Sequence, residues 1–156
     1  MTPRSLKPVG ILPANRRALA LGLMVVVALG VGSSGIILAL RSQLPDPIAN
    51  HYTHSAPDGF ASATATALIG FAFTVGMGTF FVTASVMFPG ERWVRRLAYG
   101  FSIGLAAFIA LVFLVAVIPQ AGLDDATEAR INWGLFLVPV VASPALGWLM
   151  SSLIHE

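Results

Sequence analysis

The chain has no cysteine among its 156 residues, which excludes a disulfide framework, a thiolate metal site and a thiol nucleophile. Charge is scarce as well. Asp, Glu, Lys and Arg make up 10% of the sequence, against about 25% in soluble domains. Apolar residues make up 56%, so water is not the main solvent of this chain. The few charges are collected in short segments that separate long apolar runs, the pattern of an integral membrane protein. Inside those runs there is no Asp, Glu, Lys, Arg or His. That disfavours proton relays, voltage sensors and ion-coupled carriers, which need ionisable groups at membrane depth. An intramembrane hydrolase would likewise lack its nucleophile and base or its paired carboxylates. The net charge of +2 comes from basic residues beside apolar runs, not from an independent patch, so no nucleic-acid partner is expected.

What is present reads as an all-α membrane protein, a four-transmembrane-helix bundle. The runs are residues 18–40, 63–88, 97–118 and 131–154, each longer than the roughly 18 residues that favour a transmembrane helix. They are continuously apolar, whereas barrel strands alternate over about ten residues. Residues 1–17 form a cytoplasmic tail, and 18–154 a single domain with an outer loop at 41–62. The first run is also longer than the roughly 7 to 15 residues of a signal-peptide core, and it is expected to stay as a helix.

Basic residues set the orientation. Arg4, Lys7, Arg16 and Arg17 precede the first run, and Arg92, Arg95 and Arg96 follow the second. Lys and Arg favour the cytoplasmic side, so both termini and loop 89–96 are expected there, with loops 41–62 and 119–130 outside a multi-pass cell-membrane protein. Trp93, Trp133 and Trp148 fall near the expected interfaces.

Small residues four apart, Gly30 with Ser34, Thr66 with Gly70 and Gly100 with Gly104, offer a contact stripe on each of three helices. They suit intrachain packing, and a homo-oligomer or membrane partner is the alternative. Pro139 and Pro144 are expected to kink the fourth helix over more than a turn. Asp125 and Glu128 have capping-box spacing, which predicts a helix start near Ala126. Thr74, Thr79, Thr83, Ser102 and Ser143 are read as structural, since hydroxyls in a helix can bond carbonyls one turn back and need no substrate.

The polar stretch Leu44 to Ser62, LPDPIANHYTHSAPDGFAS, stands apart from all this. Pro45 and Pro47 hold Leu44 and Asp46 extended and stop the first helix. Pro57, Asp58 and Gly59 predict a turn with a glycine at positive φ, and Ile48, Tyr52 and Phe60 could pin the loop to the helix ends. His51 and His54 would share a face on one helical turn, and Asp46 or Asp58 could add a third metal ligand. No cofactor is otherwise implied. His155 lies at the far terminus, on the opposite side.

Leu44, Pro45, Ile48, His51, Tyr52, Pro57, Asp58, Gly59, Phe60 and Ser62 resemble the loop of a bacterial membrane domain of unknown function. That domain carries leucine-proline, then histidine-aromatic, then proline-aspartate-glycine-aromatic after its first transmembrane helix, and it forms the N-terminal part of SdpI-type bacteriocin-immunity proteins. The match covers this loop and the helix before it. Ala63 stands where the family has a lysine, and Ala56 where it has a glycine, so a role resting on that lysine does not transfer. The longer immunity proteins also add a helical domain for which these 156 residues give no room. The resemblance implies a non-enzymatic protein for immunity or envelope-signal sensing, with His51, Tyr52, Asp58 and Phe60 as recognition groups. Its partners would be the lipid bilayer and an extracellular peptide or envelope factor. The alternative reading is a small transport or permeation accessory, built on the kinked fourth helix and the threonines of the second. A third is a metal-dependent membrane enzyme using the loop histidines.

Overall fold

Helix is the cheapest way to bury the amides of a long apolar run, because every hydrogen bond closes within the segment. In the computed structural model, which describes residues 13–54, 56–87 and 90–154, the protein is accordingly mostly helical. Arg4, Lys7 and His155, and the end of the second run at Phe88, lie outside the described residues. The helices are α1 (Pro13–Ala39), α2 (Ala63–Met87), α3 (Arg92–Val117) and α4 (Leu137–Ser151). Three are long and apolar enough to cross a membrane: α1, α2, and α3 together with the 3-10 turn that follows it.

Local chemistry sets the ends. Pro13 is the first helical residue of α1, where its missing N–H costs nothing. Past Ala39 the chain tightens into a 3-10 turn at Arg41–Gln43, and Leu44, ahead of Pro45, is extended as the proline requires. Ser62 caps α2, its Oγ accepting from the Ala65 amide at 3.1 Å.

The fourth helix departs from the sequence expectation of 131–154. It has 15 residues, and the capping aspartate begins something much smaller. Asp125 does accept from the Thr127 amide at 2.8 Å, but the helix it caps is a single 3-10 turn, Ala126–Glu128. Asn132 to Phe136 then passes through tight turns before α4 begins at Leu137. Pro139 therefore lies in the first turn, where an amide needs no intrahelical partner, and only Pro144 interrupts the ladder. The expected disruption by two prolines reduces to one.

The small residues make contacts within the chain. A Cβ on Gly30 would stand 2.6 Å from Val75, and one on Gly70 3.0 Å from Phe113, so these positions seat α1 on α2 and α2 on α3. Ser34 Oγ donates to the Ala67 carbonyl at 2.9 Å across the first of those contacts. At Gly78 an added Cβ would meet Val26 of α1 at 2.6 Å and Ala106 of α3 at 3.0 Å, which closes the three-helix centre. Between α3 and α4 the approach is backbone to backbone, with Gly100 against Gly147 and Gly104 against Ser143. Tyr99 of α3, buried, donates to the Ala18 carbonyl of α1 at 2.7 Å. Of the hydroxyls that can bond one turn back, Ser102 does so, to the Ala98 carbonyl at 2.6 Å; Thr74 and Ser143 are buried without a hydrogen bond to the protein.

Large apolar side chains also face outward on every helix, among them Phe80 (66% exposed), Phe101 (66%) and Val141 (68%). Apolar surface so extensive, with three of the helices of spanning length, suits a membrane protein.

Candidate functional site

The stretch after the first helix folds as a β-hairpin. Strand β1 (Ile48–Thr53) pairs antiparallel with β2 (Ala56–Ala61), and His54 follows β1 as a turn residue. His54 takes a positive φ of 51°, a conformation that histidine tolerates better than most residues. The turn therefore comes earlier than Pro57–Asp58–Gly59 suggests. Those three belong to β2, and Gly59 is needed for space: opposite His51, a Cβ on it would lie 2.6 Å from the histidine Cβ.

Two residues stand out of register. Ala49 faces Phe60 and His51 faces Gly59, which leaves Asn50 unpaired; His51 facing Gly59 and Tyr52 facing Pro57 leaves Asp58 unpaired. A bulge of this kind re-aims side chains. Here it accompanies a network in which each Asp58 oxygen has one partner: Oδ1 lies 2.5 Å from His51 Nδ1, and Oδ2 accepts from the Thr53 hydroxyl. The three side chains are exposed. The bond from Thr53, and after it the one from His51, hold the Asp58 carboxyl below the usual aspartate range.

The sign of the pH dependence follows. With a lowered folded pKa, the network's contribution is present above the ordinary aspartate value of about 3.9 and is lost as pH falls through the lowered value. In a carboxyl NMR titration the Asp58 midpoint should lie below about 3.9 and rise toward it in Thr53→Val, which removes the larger cause. An unchanged midpoint in that variant would contradict the cross-strand network.

The hairpin is fixed to the helices by a residue that the sequence reading passed over. Gln120, buried in the 3-10 turn Ile118–Gln120 after α3, accepts from the Ala49 amide at 2.8 Å and donates to the Ala49 carbonyl at 2.7 Å. Its side-chain amide thus acts as a peptide group of a third strand, covering part of an edge that would otherwise need another partner. It also donates to the Ala116 carbonyl at 2.9 Å and approaches the Tyr52 hydroxyl at 3.4 Å. Burial of Tyr52 pushes its phenol above the usual tyrosine range. Ile48 is fully buried with Ile37, Leu44 and Val117, while Ala49 packs with Ala126 and Ala129. Phe60, expected to help pin the loop, is 42% exposed; β2 presents it outward.

Beside β1 lies a cleft of about 260 Å³, walled by Asn50, His51 and Tyr52 on one side and by Val115, Arg130 and Phe136 on the other. Arg130 Nη1 donates to the carbonyls of Thr127 and Ala129 at 2.9 and 2.8 Å, which orders the guanidinium at its rim. Neither Asn50 nor Arg130 was distinguishable by sequence from an ordinary loop residue.

The candidate metal ligands do not converge. His51 is on a strand and His54 at the turn, so the helical spacing that would put them on one face does not exist here. His51 is paired with Asp58, Asp46 lies before β1, and among the described residues no group of three or more His, Cys, Asp or Glu is placed to hold a metal ion. What the arrangement offers is an ordered, exposed set of polar groups next to a half-apolar cleft.

No family model, curated protein or solved structure matches the chain.

Proposed function

We propose that this is a non-enzymatic, multi-pass protein of a bacterial cell membrane whose outer hairpin recognises an extracellular peptide or envelope factor. The observation that carries the reading is the contrast between two ends of one molecule. The apolar runs hold no Asp, Glu, Lys, Arg or His, whereas the hairpin holds His51, Thr53 and Asp58 in an exposed network and is bolted to the helices through Gln120. Such rigidity favours binding, because little ordering entropy remains to be lost when a ligand docks. The resemblance of residues 44–62 to the SdpI-type loop supports the same ligand class, and immunity or envelope-signal sensing is the corresponding role.

Four crossings suit the geometry. The segment α4 alone spans about 22 Å, short of the roughly 30 Å hydrocarbon core. The 3-10-type bonds of 132–138 and 149–154 extend it at a steeper rise, and residues 132–154 can reach about 38 Å along their path. With seven of nine basic residues before the first apolar run or between the second and the third, the termini are cytoplasmic and the hairpin faces out. The close packing of Gly78 against Val26 and Ala106 supports recognition over a permeation role, since a polar path would need that space.

In cells whose survival of peptide or envelope stress depends on this chain, the triple variant His51→Ala, Asp58→Ala, Phe60→Ala should lose the protection. Its amount in the membrane fraction should remain that of the wild type. Protection by the triple variant at the wild-type level would refute the reading.

A further inference from the structure

Between α3 and α4 runs a groove of about 560 Å³, well away from the hairpin site, with Leu97, Phe101, Phe108 and Val140 in its walls. One charged residue lines it, Arg96, and no carboxylate does. Arg96 Nε donates to the Ser151 carbonyl at 3.3 Å, which directs the guanidinium to the junction of α3 and α4. Trp148, 81% exposed, lies on the same stretch of α4. From Arg96 to Phe108 the groove covers twelve residue steps of α3, or about 18 Å, close to the roughly 15 Å of one hydrocarbon leaflet. Water-soluble ligands have no use for such a shape: an apolar trough one leaflet deep with a single cation at its end. We infer that the groove binds an anionic phospholipid, one acyl chain lying against Phe101 and Phe108 and the phosphate paired with Arg96.

The complementarity is in both charge and length. Arg92, Arg95 and Arg96 in the first turns of α3 outnumber the one carboxylate beside them, Glu91, so the charge at that end is net positive and a zwitterionic headgroup gains less there than an anionic one. Gly100, Gly104 and Gly147 line it where the backbones of α3 and α4 meet, so the floor carries no side chain. The inference rests on membrane insertion but not on hairpin recognition, and either can fail alone.

Tryptophan quenching in vesicles tests it. In a Trp93→Phe, Trp133→Phe background, Trp148 is the remaining fluorophore. Brominated phosphatidylglycerol should quench it with about fivefold greater apparent affinity than brominated phosphatidylcholine, the ratio expected for about 1 kcal/mol from one basic residue. Arg96→Gln should abolish that preference, whereas Arg92→Gln should leave most of it. Val140→Phe, which fills the apolar wall, should weaken quenching by both lipids. Equal quenching by the two lipids, selectivity that survives Arg96→Gln, or an equal loss in Arg92→Gln through general surface charge would each overturn the inference. So would relief of the phosphatidylglycerol preference by millimolar inorganic phosphate, which would mark an anion site without a lipid.

Discussion

Replacing Gln120 with leucine is expected to detach β1 from the helical body while leaving α1, α2 and α3 packed. Leucine fills nearly the same volume but offers no amide, so the Ala49 N–H and C=O, both in a fully buried residue, lose their partners together. Each buried group left unpaired costs about 1 to 3 kcal/mol. Together they exceed what one exposed cross-strand network returns. The hairpin should then open locally, and the amides of residues 48–53 should exchange about a hundredfold faster or more, since each 1.4 kcal/mol is a factor of ten. Exchange in α2 should not change. Phe60→Ala is the contrast, because a ring 42% exposed on β2 supports little packing. Slow exchange at Ala49 in the leucine variant would mean that Gln120 does not hold the strand.

The second large effect is expected at the crossing of α3 and α4. A side chain on Gly147 would collide with the Gly100 carbonyl, and one on Gly100 would come within 2.7 Å of the Gly147 carbonyl. Neither neighbour is a side chain that can rotate away. Overpacking against a flexible partner costs about 1 to 3 kcal/mol, and against backbone the upper end applies. Gly147→Leu should therefore destabilise the protein by about 3 kcal/mol in reversible unfolding from detergent, with α4 leaving α3 first. Gly76 has nothing within 4 Å of an added Cβ, so Gly76→Ala should be neutral or stabilising by up to about 1 kcal/mol through helix propensity. Equal effects at the two glycines would contradict the packing described.

The helices were legible in the sequence for a simple reason. An apolar run of more than twenty residues leaves few alternatives, and α1, α2 and α3 follow the runs to within five residues at each described end. The fourth was overextended because hydropathy does not distinguish α-helix from the tight turns of Asn132 to Phe136. At the loop, the prolines marked where the first helix stops, but the hairpin was hidden. Its strands are six residues each, irregular in register, and no Asn-Gly or Asp-Gly signature lies between them in the sequence. Spacing alone groups His51 with His54, whereas in the structure its partner is Asp58 on the facing strand. Gln120 could not have been paired with Ala49, 71 positions away, by any local pattern. The one signal it gave was a polar residue at the end of an apolar run.

The proposed topology, with the hairpin outside a four-crossing bundle, is directly measurable because the chain has no cysteine. Any introduced thiol is the sole target for a membrane-impermeant maleimide. Ala56, Gly90, Glu128 and Ser152 are all exposed, so single cysteine substitutions there should leave the fold intact. In intact cells, Ala56→Cys and Glu128→Cys should label, while Gly90→Cys and Ser152→Cys should label only after permeabilisation. Protection of Ala56→Cys would place the hairpin inside the cell, and labelling of Ser152→Cys together with Glu128→Cys in intact cells would mean that α4 does not cross; either result contradicts the account.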